Sequence, residues 1–236
     1  MRNRFKVNDE YRIEEGIMDD SLKFAKRWVI TGIVCGFLAG VSYAVSIAIS
    51  LPPRIAYPVF WAFGPLLCAS APGLYYFVKH YRKSIPLQIG ILFLIIAGAS
   101  VTMMGTMQAA GRAVFRAVPL EGASEVTKEA WELAYKAANA VQMGADVAWD
   151  IFIFTSVFLL GMAVFKHPKL GWIFGTLGCI IAFLGLAFNI YTFPHNPGTQ
   201  GLVDMGPFMG LWFTAVSIKV IFSLKWMDTK VDINPN

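Results

Sequence analysis

The chain has 236 residues, of which 56% are hydrophobic and only 15% are charged. Soluble domains are typically about 45–50% apolar and about 25% charged, so too little polar surface remains here to cover a soluble fold. The net charge of +5 comes from residues that border apolar blocks. This placement excludes a nucleic-acid-binding role and favours contact with anionic lipid headgroups.

The apolar residues form six blocks, each long enough to cross a bilayer as an α-helix. Such a span takes about 20 residues, and the blocks do not alternate in polarity as the strands of a membrane β-barrel would. We therefore predict an all-α polytopic membrane bundle with six transmembrane helices, which cover Trp28–Leu51, Tyr57–Val78, Ile85–Met107, Ala145–Phe165, Gly171–Phe193 and Pro207–Leu224.

The transmembrane domain is expected over 28–226, between a cytoplasmic N-terminal segment at 1–27 and a cytoplasmic tail at 227–236. The N-terminal segment is charged and polar, and the apolar stretch after it is too long for a cleavable signal peptide. Between the third and fourth spans, 124–143 has good helix formers and a capping serine at Ser124. This predicts an outer amphipathic helix that either continues into the fourth span or lies at the membrane interface.

The distribution of basic residues predicts that both termini are cytoplasmic. If the N-terminus lies inside, Lys and Arg are far more numerous in the inside segments than in the outside ones, as the positive-inside rule requires. The outside set is Arg54, Arg112, Arg116, Lys128 and Lys136; the inside set is Arg2, Arg4, Lys6, Arg12, Lys23, Lys26, Arg27, Lys79, Arg82, Lys83, Lys166, Lys169, Lys225 and Lys230. We expect a multi-pass protein of the plasma membrane.

Small residues recur every four positions in the first span, at Gly32, Gly36 and Gly40. This spacing places them on one face of a helix, where glycines let a second helix approach closely. Two explanations remain open, namely packing within the bundle and formation of a homo-oligomer through the first helix.

Two acidic residues, Asp146 and Asp150, lie one turn apart on the same face of the fourth span. Counted from Phe165 at 1.5 Å per residue, Asp150 lies roughly 22 Å into the membrane. A carboxylate at that depth costs at least a few kcal/mol unless it is paired, hydrated or protonated. We therefore expect it to face the interior of the bundle.

The outer end of the third span supplies the expected partners, because Gln108, Arg112 and Arg116 follow one another at intervals of one turn. We predict that these three residues form a single polar cluster with Asp146 and Asp150 at the outer mouth of the bundle. The cluster has two interpretations: an ion pair that joins two helices, or a site for a ligand, an ion or a proton.

No cofactor and no metal are expected. The histidines His80 and His167 lie in inside loops and His195 in an outside loop, so that no two are expected to share a level across the bundle core. That arrangement does not favour haem or a histidine-rich metal centre. The sequence also lacks a CxxC pair, a Gly-rich phosphate loop and an HExxH motif.

Three stretches in the last three spans carry a resemblance to a known family: Gly144–Asp150, the tight turn Phe165–Trp172, and Gly206–Trp212. In these stretches the chain resembles a bacterial family of six-helix membrane proteins that is catalogued only as a domain of unknown function. The resemblance implies a bacterial inner-membrane protein and supplies no activity.

Three classes of function remain open. We favour small-molecule binding or transport through the outer polar cluster, with Arg112 as the counter-charge of Asp146 and Asp150. The alternative is a structural or accessory subunit of a larger membrane complex, which the small-residue stripe and the short loops suit. The third is a membrane-embedded lipid-modifying enzyme that uses the two aspartates as acid and base, although the absence of a recognised catalytic motif speaks against an enzyme.

Overall fold

The computed structural model describes the backbone of residues 2–229 and the side chains of residues 20–46 and 48–229. All regular structure in that part of the chain is helical, which confirms that the fold is all-α. The helices are α1 (Arg2–Ala48), α2 (Pro53–Tyr81), α3 (Ile85–Ala117), α4 (Glu125–Val164), α5 (Gly171–Thr192) and α6 (Gly206–Phe222). A short 3₁₀ helix, Pro197–Gln200, lies between α5 and α6, and a second one, Leu224–Asp228, follows α6.

Five of these helices are long and apolar enough to cross a bilayer, namely Asp20–Ser46 within α1 and the whole of α2, α3, α4 and α5. The sixth helix, α6, is apolar but has only 17 residues. Large apolar side chains such as Phe37, Leu92, Phe183 and Ile190 are more than half exposed on the outside of the bundle. Soluble monomers rarely expose apolar patches beyond a few hundred Å², so this surface fits a multi-pass membrane protein.

The N-terminal segment predicted at 1–27 and the first span belong to one helix, because α1 runs without a break from Arg2 to Ala48. Most of the predicted tail, residues 230–236, lies outside the described residues.

Helices that follow one another in the chain pack as neighbours, and α6 closes a ring between α5 and α1. Short connections impose this arrangement, since they leave a helix no choice but to return beside its predecessor. We call the end of the bundle with the turns at 49–52, 118–124 and 193–205 the hairpin end. The opposite end, with the turns at 82–84 and 165–170, is the terminal end.

Glycines determine how closely neighbouring helices cross. A Cβ on Gly32 would lie 2.5 Å from Cα of Gly73, and a Cβ on Gly161 would lie 2.8 Å from the carbonyl oxygen of Gly175. The helix pairs α1–α2 and α4–α5 therefore touch backbone to backbone, which only glycine permits at these positions. The first glycine of the predicted stripe thus packs within the chain.

The helices α3 and α4 are longer than a bilayer requires. Their 33 and 40 residues correspond to roughly 50 and 60 Å, against a hydrocarbon core of about 30 Å. Ser124 caps α4, since its Oγ accepts a hydrogen bond from the backbone N–H of Thr127 at 3.3 Å. The amphipathic segment at 124–143 therefore continues into the fourth span. We call residues 108–143, which extend from the hairpin end, the α3–α4 projection.

Candidate functional site

Three carboxylates and a phenol lie within electrostatic range of one another near the hairpin end. Asp146 and Asp150 are half-buried on α4, roughly 27 and 21 Å along the helix axis from its last residue, Val164. Tyr43 of α1 and Asp204, which precedes α6, lie close enough to interact electrostatically with both aspartates. We call Tyr43, Asp146, Asp150 and Asp204 the acidic cluster.

Asp204 is held in place by the start of α6. Its Oδ1 accepts a hydrogen bond of 2.8 Å from the backbone N–H of Gly206, as a carboxylate at a helix N-terminus commonly does. The hydroxyl of Tyr43 lies 3.5 Å from the point that a Cβ on Gly206 would occupy, and Oδ1 of Asp204 lies 3.2 Å from it. The glycine therefore leaves room for the phenol and the carboxylate side by side.

Aromatic rings in contact connect the acidic cluster with the core. The ring centroids of Tyr43 and Phe63 are 5.1 Å apart, and Phe63 meets Trp149 edge-on at 6.4 Å. Trp149 is only 7% exposed, and its buried indole N–H has no hydrogen-bond partner in the described residues. A buried donor without a partner costs about 1–3 kcal/mol.

A cavity of about 330 Å³ extends from Tyr43 towards the middle of the bundle, between α1, α2, α4 and α6. Its walls are almost entirely apolar, with Phe63, Ile153 and Phe213 among the side chains that line it. The hydroxyl of Thr214 also faces it but already donates to the carbonyl of Gly210 at 2.9 Å. The volume lies within the range of about 300–1,000 Å³ that small-molecule sites occupy.

The second and third glycines of the predicted stripe form one wall of this cavity. A Cβ on Gly40 would lie 3.4 Å from Oγ1 of Thr214, and a Cβ on Gly36 would lie 3.4 Å from Cβ of Ser70. These are ordinary contact distances, unlike the overlap at Gly32. Here α1 is therefore not in tight contact with α6, and the absence of side chains leaves the space open.

Gln108, Arg112 and Arg116 lie elsewhere. They line grooves between α3 and α4 in the α3–α4 projection, and the described residues form no ion pair between either arginine and Asp146 or Asp150. The single polar cluster expected from the sequence is therefore two separate sites in the structure. Tyr43 and Asp204 complete the acidic one, and no feature of the sequence pointed to them.

A further buried cluster lies at the terminal end, around Trp226. The centroid of its ring system is 4.9 Å from that of His167 and 5.0 Å from that of His80, while Phe77 packs against His167 at 5.1 Å. Two histidines therefore do meet at one level of the bundle, against the expectation from their positions in the chain.

His167 has a structural role in this cluster. It is 1% exposed, and its Nδ1 accepts hydrogen bonds from the backbone N–H groups of Lys169 at 3.2 Å and Leu170 at 3.3 Å. A neutral ring that accepts at Nδ1 carries its proton on Nε2, so it has no free lone pair for a metal. Burial lowers the pKa of His167 to about 4; the backbone of Phe77 opposes this effect, and the charges of His80 and Lys169 add to it.

No group of three or more His, Cys, Asp or Glu side chains in the described part of the chain is arranged to hold a metal ion. The sequence matches no protein-family model, no curated protein and no solved structure. The function is therefore argued from the geometry of the sites.

Proposed function

We propose that this chain is a small-molecule binding or transport protein that holds an amphipathic organic cation in the cavity between α1, α2, α4 and α6. One observation carries the proposal. The carboxylates of Asp146, Asp150 and Asp204 interact electrostatically with Tyr43, which lines the apolar cavity, and no basic side chain of the described residues forms an ion pair with them.

The chemistry of the ligand follows from this arrangement. Carboxylates close together in a low-dielectric region stay charged only with a positive partner, and the described residues supply none that forms an ion pair. An ammonium group at the acidic cluster would provide that charge and could lie against the faces of Tyr43 and Phe63 through cation–π attraction. The apolar walls would take up the hydrophobic body of the ligand at about 25 cal/mol per Å² of surface buried.

An organic cation fits better than a metal ion. The described side chains lack a metal-binding set, and a hydrated metal would gain nothing from the long apolar wall that Ile153 and Phe213 contribute.

The orientation and the number of spans belong to the same proposal. We place both termini in the cytoplasm of a bacterial cell, because Lys79, Arg82 and Lys83 and the pair Lys166 and Lys169 flank the terminal end. The sixth span is α6, which at 17 residues is roughly 26 Å long and is continued by Leu224–Asp228. The acidic cluster then lies at the outer side of the inner membrane.

Thermal unfolding of the purified protein in detergent tests the proposal, with hexyltrimethylammonium as the probe and hexyl sulfate as the anion of equal length. The wild type should be stabilised by the cation and not by the anion. Asp150→Asn should weaken binding of the cation about tenfold, the equivalent of about 1.4 kcal/mol, because one carboxylate no longer carries charge. Glu129→Gln, which removes an exposed charge elsewhere on α4, is the matched control and should bind as the wild type does.

A second variant separates loss of binding from loss of folding. Gly40→Val should occupy part of the cavity without touching the carboxylates, and it should weaken binding of hexyltrimethylammonium more than that of tetramethylammonium. Equal stabilisation of the wild type and Asp150→Asn would contradict the proposal, as would equal stabilisation by the cation and the anion.

One observation favours the accessory-subunit alternative. Val126, Leu133 and Val141 are 76%, 70% and 64% exposed on the α3–α4 projection, roughly 35 Å or more along α4 from Val164 and so past the hydrocarbon core. A partner protein would cover these side chains. Purification in a mild detergent with one stoichiometric partner would support this alternative.

A further inference from the structure

The α3–α4 projection contains a groove that the proposed function does not use. Its part nearer the membrane, of about 490 Å³, is lined by Gln108 and Arg112 of α3 and by Asn139 and Gln142 of α4. Side-chain amides and a guanidinium group from two facing helices therefore converge on one space. These groups offer several hydrogen-bond donors.

The groove continues away from the membrane into a second part of about 510 Å³, which Arg112 shares and to which Arg116 and Lys128 contribute. Its inner wall is aromatic, since the ring of Phe115 lies 4.8 Å from that of Trp131 and 5.0 Å from that of Tyr135, between centroids. These packed rings form an apolar wall in the same part of the groove as the basic side chains.

The positive charge of the groove is not neutralised by its neighbours. Arg112 and Arg116 lie one turn apart and form no ion pair in the described residues. Glu132, the acidic residue in the lining, already accepts from Lys136 at 2.7 Å, and Lys128 is paired with Glu125 at 2.8 Å. The two guanidinium groups are therefore the unpaired charges that a ligand would meet.

The level of the groove along α3 indicates the source of a ligand. Counted from Ile85, the first residue of α3, Gln108 and Arg112 lie roughly 35 and 41 Å along the helix axis. The hydrocarbon core is about 30 Å thick, and the headgroup layers extend the bilayer to about 40–45 Å. With ordinary helix tilt and a long flexible side chain, Arg112 reaches the headgroup layer at the hairpin end.

We propose that this groove is a binding site for a phosphate ester. Arg112 and Arg116 would donate hydrogen bonds to the phosphate oxygens, in the bidentate geometry that guanidinium groups favour, and Gln108 and Gln142 would donate from the membrane side. The source is either the headgroup of an anionic phospholipid, whose chains would leave the groove beside Met107 and run towards the hydrocarbon core, or a soluble phosphate ester.

Native mass spectrometry of the purified protein tests the proposal, with phosphatidylglycerol, phosphatidylcholine and glycerol 3-phosphate as probes. The wild type should bind phosphatidylglycerol about tenfold more tightly than phosphatidylcholine. Arg112→Gln and Arg116→Gln should each weaken binding of phosphatidylglycerol about tenfold, as the loss of a hydrogen bond to a charged group implies.

The matched control is Arg54→Gln, which removes an exposed guanidinium group at the same end of the bundle but outside the lining of the groove, and it should change binding less than twofold. Arg112→Lys keeps the positive charge but loses the planar guanidinium group, so its affinity for phosphatidylglycerol should lie between those of the wild type and Arg112→Gln. Competition by glycerol 3-phosphate would assign the site to a soluble ester, whereas lipid binding without competition would assign it to the headgroup. Equal losses in Arg112→Gln and Arg54→Gln, or no loss in either Arg112→Gln or Arg116→Gln, would overturn the proposal.

Discussion

The neutral ring of His167 joins three parts of the terminal end. It accepts two backbone hydrogen bonds from the α4–α5 turn, packs on Phe77 of α2 and faces Trp226 beyond α6. Protonation would put a charge into a site that is 1% exposed and would cancel the acceptor at Nδ1. The contribution of this residue to stability therefore depends on pH.

The protein should become less stable as the pH falls from about 6.5 to about 4. An unfolded histidine takes up its proton near pH 6.5, whereas burial lowers the pKa of the folded ring to about 4, so between these values the unfolded state binds more protons. The contribution is fully present above pH 6.5, and near pH 4 the loss in free energy of unfolding is on the order of 2–3 kcal/mol.

Thermal midpoints in detergent at several pH values measure this dependence. His167→Gln should be less stable than the wild type at neutral pH, and its thermal midpoint should fall much less on acidification. The thermal midpoint of His80→Gln should fall as much as that of the wild type. A decline of the same size in the wild type and His167→Gln would show that another group titrates.

Among the helices, the glycines of α1 have two different tasks that their regular spacing does not distinguish. Gly32 lets α1 and α2 touch, whereas Gly36 and Gly40 leave the cavity open. The spacing of four positions places them on one face, but which neighbour that face meets at each level depends on how the helices cross.

Gly32→Ala should destabilise the protein by about 1–3 kcal/mol, because the added Cβ would lie 2.5 Å from Cα of Gly73 and force α1 away from α2. Gly144→Ala is the control, since its Cβ would meet no atom within 4 Å, and better helix propensity should leave stability unchanged or raise it by up to about 1 kcal/mol. Unfolding in a graded denaturing detergent measures both. Equal stability of the two variants would refute the close-contact explanation.

For the molecule as a whole, the orientation follows from the charge at the terminal end. The orientation can be measured with single cysteines, introduced after the native cysteines are replaced, by labelling them with a maleimide that does not cross the membrane. Thr199→Cys at the hairpin end should be labelled in intact bacterial cells, and Lys83→Cys in the turn at 82–84 should be labelled only after the membrane is opened. The reverse pattern would invert the orientation, and labelling of both positions in intact cells would contradict the three spans, α3, α4 and α5, that separate them.

The acidic cluster and the groove of the α3–α4 projection are separate, although the sequence predicted a single site. From the rise per residue, the sequence placed Arg112 and Asp150 near the outer ends of neighbouring helices. Position in the sequence gives only this level of a residue along the helix axis, and hence its depth in the membrane. Their direction around each helix axis depends on packing, and the structure turns Asp150 towards Tyr43 of α1 and Arg112 into the groove beside α4.

The apolar blocks determined by themselves that the chain forms membrane-length helices, because peptide groups surrounded by lipid must bond along each helix. The capping serine and good helix formers likewise predicted a helix at 124–143, and the structure decided that it continues into the fourth span. Only the tertiary structure decided which side chains lie near one another, since Tyr43, Asp150 and Asp204 belong to different elements whose mutual rotation is set by close contacts such as that between Gly32 and Gly73.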